Sequence, residues 1–245
     1  MDLKNKITNK NIKVLIVAAG EGRRSGLNYP KTLYKVNKVP ILVRIFKKIL
    51  HIDLKPTIIV SKKGRAAIIK CLNKYNFKYE LIIQNTPKGM GDAVLKYQMS
   101  KNYKYYKNIL LLWGDLPFIY KQTINKLVNK HIVSNSFITI VSGVTNNPYT
   151  LILRKKNNNI YKILEKRTKK NQYKRGERDI GIFMFNRNLL SLLSRFKKYD
   201  YVDGKKEHNF LYLINVIYKK KLKITNSSIS NDKEFKSFNS MKDLK

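Results

Sequence analysis

Carboxylates are what this sequence lacks most. It holds 15 Asp+Glu against 52 Lys+Arg in 245 residues, a formal net charge of +37 at pH 7. Such an excess favours polyanions: phosphorylated small molecules, nucleic acid or an acidic membrane surface. The basic residues run through the whole length and form no single tract or arm. Lys, Asn and Ile are abundant together, so the surplus reads first as a drift in composition, and a nucleic-acid partner is not favoured. A positive field would still steer phosphorylated substrates inward.

Cysteine is almost as scarce. Cys71 stands alone, which excludes an intrachain disulfide and any cysteine-built metal site, and fits a reducing cytoplasm. Its setting, Ala66 to Leu72, reads as an apolar helix face with a buried structural thiol. The three histidines, His51, His131 and His208, are isolated and show no ligand spacing, so no zinc site is expected. No apolar run approaches the ~18 residues of a membrane helix. The run Val14–Ala19 is shorter than the ~7–15-residue core of a signal peptide and reads as a buried strand. With 43% hydrophobic residues, a chain of this length can bury roughly two thirds to three quarters of its unfolded surface.

What is present alternates. Apolar β-branched runs predict strands at Ile12–Val17, Thr57–Val60, Leu81–Gln84 and Ile109–Trp113. Between and after them, helical spacing predicts helices at Pro40–Leu50, Arg65–Tyr75, Asp92–Met99 and Thr123–Ile132. Such alternation implies βαβ units and a parallel sheet. Beyond Phe137 strands dominate, at Phe137–Val141, Leu151–Leu153, Tyr161–Leu164 and Ile180–Phe185. Helices follow at Arg187–Phe196 and Glu207–Tyr218, then a strand near Leu222–Ile224. The expectation is α/β: a Rossmann-like three-layer α/β/α fold with a mostly parallel central sheet and a small mixed α+β part. One domain is expected over 1–245, with 1–135 a nucleotide-type half and 136–245 a mixed α+β half.

Three segments carry chemistry. Val17-Ala18-Ala19-Gly20-Glu21-Gly22-Arg23-Arg24, continuing to Pro30-Lys31, runs from a strand into a glycine-rich turn followed by cations. Glycines let backbone N–H groups approach phosphate oxygens, and Arg24 and Lys31 can neutralise phosphate charge. The spacing is neither GxGxxG nor GxxxxGK[ST]. Gln84 to Ala93 is a second glycine-bearing turn ahead of a helix, and the Gln84 amide could read a base edge. Leu111-Leu112-Trp113-Gly114-Asp115 delivers an acid to the carboxyl end of a strand, where open α/β sheets hold their ligands. One carboxylate there suits Mg²⁺ bound to a nucleoside triphosphate. By contrast, the tyrosines between Tyr103 and Lys107 read as a helix-to-strand connection and not as a stacking platform.

In this order the three segments resemble the sugar-phosphate nucleotidyltransferase family, within the MobA-like NTP transferase superfamily. They are most similar to the uridylyltransferase (pyrophosphorylase) domains that make UDP-N-acetylglucosamine. The family's L-A-A-G-x-G-T-R-M…P-K, Q-x4-G-T-G-x-A and Y-G-D stand here at Val17–Ser25 with Pro30-Lys31, at Gln84–Ala93 and at Trp113–Asp115. Further on, Ile163–Lys166 resembles I-V-E-K, Glu177–Ile182 resembles E-x-N-T-G-I, and Phe238–Leu244 resembles V-N-T-P-E-D-L. No hexapeptide-repeat acetyltransferase domain is expected.

The resemblance implies transfer of a nucleoside monophosphate from an NTP, UTP first, to a sugar 1-phosphate, as in nucleotide-sugar supply for cell-envelope polysaccharide. It implies Mg²⁺ held by Asp115 and Asn239, with Arg24, Lys31 and Asp115 as the catalytic groups. Ala18, Ala19, Gly20, Gly22, Gln84 and Gly89 would hold the nucleotide, and Thr150, Glu165 and Asp179 would face the sugar. Asp179 stands where the family has Asn, and Asn147-Pro148-Tyr149-Thr150 where it has G-Y-G-R. These departures leave open a cytidylyl- or guanylyltransferase acting on another phosphorylated acceptor. A basic nucleic-acid-binding protein on a degenerate scaffold is the alternative of another class, and it requires affinity that falls steeply with salt.

Overall fold

The computed structural model describes residues 11–20, 25–165, 173–202, 205–238 and 243. In chain order these form β1 (Ile12–Ala18), a hairpin of β2 (Lys35–Val36) and β3 (Val39–Pro40), α1 (Ile41–Ile49), β4 (Thr57–Ser61) and α2 (Arg65–Lys74). Next come β5 (Glu80–Gln84), α3 (Met90–Leu95), β6 (Asn108–Trp113), α4 (Lys121–Val133) and β7 (Ile138–Asn146). The remainder is β8 (Thr150–Arg154), β9 (Ile160–Glu165), β10 (Arg175–Asn186), α5 (Leu189–Arg195), β11 (Tyr199–Val202), β12 (Lys205–His208), α6 (Leu213–Lys219) and β13 (Ile224–Ser228).

Seven strands make one sheet in the order β13-β7-β10-β6-β1-β4-β5. Only β10 runs antiparallel to its neighbours, β6 and β7; the other pairings are parallel. The inner strands are apolar on both faces because both faces are covered. In β1, Val14, Ile16 and Ala18 face one core, with Ile68 and Leu72 of α2 and the buried residues of α1 and α4. Leu15 and Ala19 face the other, with α3, α5 and α6. The result is three layers, α/β/α.

The chain leaves β1 toward β4 and β5, then returns to lay β6 on β1's other side. The boundary between β1 and β6 is therefore a topological switch point, where the two following loops diverge and leave a crevice. The second half is not a separate body: β7, β10 and β13 belong to the same sheet.

The helix expected at Glu207–Tyr218 begins only at Leu213. Glu207 and His208 lie instead in β12, paired with β11. Asn209 redirects the chain, since its side-chain oxygen accepts the Tyr212 N–H at 3.0 Å and sets a turn before the helix. Cys71 is half-buried beside the core face of α2, which is made by Ile68 and Leu72, and burial pushes its thiol pKa up. Of the tyrosines in the connection after α3, Tyr103 and Tyr106 pack against the core, and Tyr106 receives Lys13 over its ring at 5.3 Å.

His131, on α4, is buried between Thr139 Oγ1 at 2.9 Å and Asn108 Oδ1 at 3.3 Å, and burial lowers its pKa to about 4. The folded protein thus holds this ring neutral where an unfolded chain would protonate it, below ~6.5. Stability from this group is full above that value and is lost as pH falls toward 4, at most ~3 kcal/mol by linkage. Urea melts of the parent and His131→Gln between pH 7 and 4.5 test this. The stability gap between the two should narrow with acid; a constant gap would show that His131 does not titrate this way.

Candidate active site

Two strand ends meet at the switch point. After β1 the chain enters the turn at Gly20, and after β6 it enters Gly114-Asp115. The Gly114 N–H donates to the Val17 carbonyl at 2.8 Å, extending the β1–β6 ladder by one step. A Cβ on Gly114 would lie 3.0 Å from that oxygen and 3.1 Å from Ala18, so any larger residue would have to push β1 and β6 slightly apart here.

Lys31 arrives in a short 3-10 turn, Lys31–Leu33, that Pro30 introduces. Its stem lies over Gly20, whose missing Cβ would stand 3.5 Å from Lys31 Cε. The Lys31 ammonium pairs with Asp115 Oδ2, and both side chains are mostly buried. Two of the expected catalytic groups therefore meet beside Gly20. Arg24 and Gly22 lie outside the described residues. Ala18 and Ala19 are buried at the end of β1, one on each side of the sheet.

The C-terminal segment closes the Asp115 side. The Phe238 N–H donates to the Asp115 carbonyl at 2.8 Å, and the Phe238 ring stacks on Tyr34 with centroids 4.4 Å apart. Asn239 follows directly in sequence but lies outside the described residues. Among those residues no group of three His, Cys, Asp or Glu is placed to hold a metal. Mg²⁺ on a triphosphate does not need one, because a single carboxylate with phosphate and water oxygens suffices. Asp115, a carboxylate already balanced by a cation, fits that chemistry.

The second loop presents Gln84 from the end of β5. Gln84 Nε2 donates to Asp92 Oδ2 at 2.7 Å and, at 3.5 Å, to the Gly89 carbonyl. Its amide hydrogens are thus turned inward, and the carbonyl oxygen is the end left to accept from a ligand. Gly89 has φ +89°, and a Cβ there would sit 2.6 Å from the His208 backbone nitrogen. The neighbour is β12, whose His208 N–H donates to the Lys88 carbonyl at 2.7 Å. Its imidazole, seated on Gly91, has a pKa lowered by burial and further by Lys197, and raised by Asp92. This β11–β12 strap over the loop was not foreseen. A signal for it lies in the sequence, where Asp-Gly, a dipeptide common in tight hairpins, stands between the Tyr199–Val202 and Lys205–His208 segments.

The three residues expected at the sugar also converge. Thr150 Oγ1 donates to Asp179 Oδ1 at 2.5 Å, and Thr150 sits opposite Glu165 in the β8–β9 ladder. All three are buried. The other Asp179 oxygen accepts the Gly181 N–H at 3.0 Å. Glu177 is engaged elsewhere, with Arg154 at 2.7 and 2.8 Å and the Ser142 hydroxyl at 2.6 Å. Burial raises its pKa, but these partners outweigh burial and the net shift is downward.

A glycine turn and a lysine–aspartate pair at the switch point of an open α/β sheet define a protein built to hold a nucleotide. Residues 14–179 match the MobA-like NTP transferase domain, and the chain belongs to that family. It is 35% identical over 143 residues to the bifunctional protein GlmU of Buchnera aphidicola subsp. Baizongia pistaciae, covering 58% of this chain and 30% of that protein. It is 28% identical over 150 residues to a probable UDP-N-acetylglucosamine pyrophosphorylase of Acanthamoeba polyphaga mimivirus, covering 59% and 57%. The matched region thus spans under a third of the bifunctional relative and just over half of the viral one. In structure it resembles a putative glucose-1-phosphate thymidylyltransferase from Bacillus anthracis (TM-score 0.72, 19% identity, 89% of this chain and 87% of that one). It also resembles the inositol-1-phosphate CTP transferase from T. maritima (TM-score 0.72, 15% identity, 97% and 92%). These two share the fold. Among the described residues no helix is long and apolar enough to cross a membrane.

Proposed function

We propose that the chain transfers the uridylyl group of UTP to a sugar 1-phosphate, with N-acetylglucosamine 1-phosphate the first acceptor to try. The observation that carries this reading is the Lys31–Asp115 pair lying over Gly20 at the switch point. In the reaction an acceptor phosphate oxygen forms a bond to the α-phosphorus while the α–β bridging P–O bond breaks. Pyrophosphate leaves with the bonding pair.

Two polyanions must meet, so charge neutralisation and alignment dominate the barrier. Backbone N–H groups around Ala18, Ala19, Gly20 and Gly22 cradle the nucleotide. Lys31 stands ready to neutralise the α-phosphoryl group, and Arg24 the departing pyrophosphate. The Gln84 carbonyl oxygen, whose sister amide hydrogens are committed to Asp92 and Gly89, suits the N3–H donor of uracil, with the Gly89 backbone beside it. The first half thus serves the nucleotide, and Thr150, Glu165 and Asp179 of the second half serve the acceptor. Mg²⁺ would be held by Asp115 with Asn239, and when bound it neutralises phosphate charge.

A matrix of UTP, CTP, dTTP and GTP against sugar and alcohol phosphates, read by pyrophosphate release with and without Mg²⁺, tests the proposal. Metal-dependent release should be fastest with UTP and a sugar 1-phosphate. Preference for CTP or dTTP would overturn the base assignment, and no release from any pair would overturn the reaction.

A further inference from the structure

Arg178 lies on β10 between two carboxylates that are already committed. Glu177 is held by Arg154 and Ser142, and Asp179 by Thr150 and the Gly181 N–H. Arg178 Nε donates to a neutral acceptor, the Asp179 carbonyl, at 3.0 Å. Its guanidinium lies over the Phe235 ring, 5.9 Å from the centroid. Among the described residues, the two Nη groups donate to no protein acceptor. Burial pulls the guanidinium pKa down, and Asp179, Tyr149 and Asp115 pull it back up. The group stays charged at neutral pH. A half-buried guanidinium anchored at Nε and by its ring contact, with its fork unfilled, is ordered for an oxyanion ligand.

Its place indicates which one. β10 pairs with β6 as far as Ile182 opposite Leu112, Gly181 packs against the Trp113 ring, and Asp115 is one of the charges that act on Arg178. Phe235, under the guanidinium, belongs to the segment whose Phe238 binds the Asp115 carbonyl. In the sheet β6 lies between β1 and β10. Gly20 and Lys31 therefore approach Asp115 from the β1 side, and Arg178 from the β10 side. In-line transfer sets the attacking and leaving phosphates on opposite sides of the α-phosphorus.

We infer that Arg178 binds the phosphate of the acceptor with its Nη fork and holds it against the Asp115 end of the triphosphate. The inference rests on the nucleotidyltransferase reading above.

The test is steady-state kinetics of the parent, Arg178→Gln and Arg178→Lys with UTP and N-acetylglucosamine 1-phosphate, or the best acceptor of the matrix. Arg178→Gln should raise the acceptor KM at least about tenfold, the usual scale for a lost bidentate charge-assisted contact. The UTP KM and the Mg²⁺ concentration for half-maximal rate should stay within about twofold. Arg178→Lys keeps the charge but loses the fork and the planar group over Phe235, and should fall between. Calorimetric titration of inorganic phosphate provides a readout without turnover: affinity should fall in Arg178→Gln by a similar factor. An unchanged acceptor KM in both variants, or a rise confined to the UTP KM, overturns the assignment. A parent that releases no pyrophosphate with any acceptor defeats the function itself. In that case the phosphate titration still decides whether Arg178 is an anion site.

Discussion

Asp115→Asn is expected to lower kcat by on the order of 10²-fold or more, the scale of losing one preorganised charge partner in a transition state. The substitution keeps the size of the side chain and its place at the end of β6. What it removes is the charge that balances Lys31 and would face the metal–triphosphate complex. Lys31→Ala is expected to cost about as much for the opposite reason, since it removes the cation laid over the Gly20 turn. The two groups touch, so their effects will not add: the double variant should fall little below the worse single one. Steady-state kinetics, with melting curves to show that each variant folds, decide the matter. Either variant at the parent's kcat would remove both residues from the chemistry.

The inner strands and the first four helices were legible because each is fixed locally. A strand buried on both faces must be largely apolar, as β1, β4 and β6 are apart from Lys13, Thr57, Ser61 and Asn108 at or near their ends, and the buried residues of α1 recur at helical spacing. What stayed hidden depends on residues distant in sequence. β10 extends from Arg175, well before the apolar run at Ile180, because polar Ser142–Asn146 of β7 extends with it. No local pattern announces such a polar pairing. In the stretch before α6, helical periodicity was real, yet pairing with β11 and the Asn209 turn prevailed over it through its first half. The site divides along the same line. Lys31, Gln84 and Asp115 were readable from their motifs, each a glycine-bearing turn at a strand end. That Lys31 meets Asp115 across 84 residues of sequence was not readable, nor that β12 straps the Gly89 turn. Both follow from strand order, which becomes definite only when the sheet assembles.

Glu234 is the other residue that local sequence did not reveal, and its replacement should have the largest effect on stability. It is buried, and its carboxylate accepts from the Tyr120 N–H at 3.0 Å, the Thr123 hydroxyl at 2.7 Å, the Ser230 N–H at 2.8 Å and the Asn231 N–H at 3.2 Å. These donors come from the start of α4 and from the chain entering the C-terminal segment, so one side chain clasps the two together. The next four residues, Phe235–Phe238, carry the backbone to Asp115. Glu234→Ala would leave four donors facing a void, a loss of ~3–5 kcal/mol by analogy with breaking a buried, hydrogen-bonded charge. In a chain of this size that corresponds to a fall in Tm of roughly 6–20 °C. Glu234→Gln fills the same volume and retains one acceptor oxygen, so it should lose less, its NH₂ now opposed to a donor. Turnover should fall in the same order, measured well below each variant's Tm, because the segment that sets Asp115 is loosened. Thermal melts and pyrophosphate release on the two variants are sufficient. A Tm within about 2 °C of the parent for Glu234→Ala, too small for a buried network of this kind, would show that the clasp is held by something other than this carboxylate.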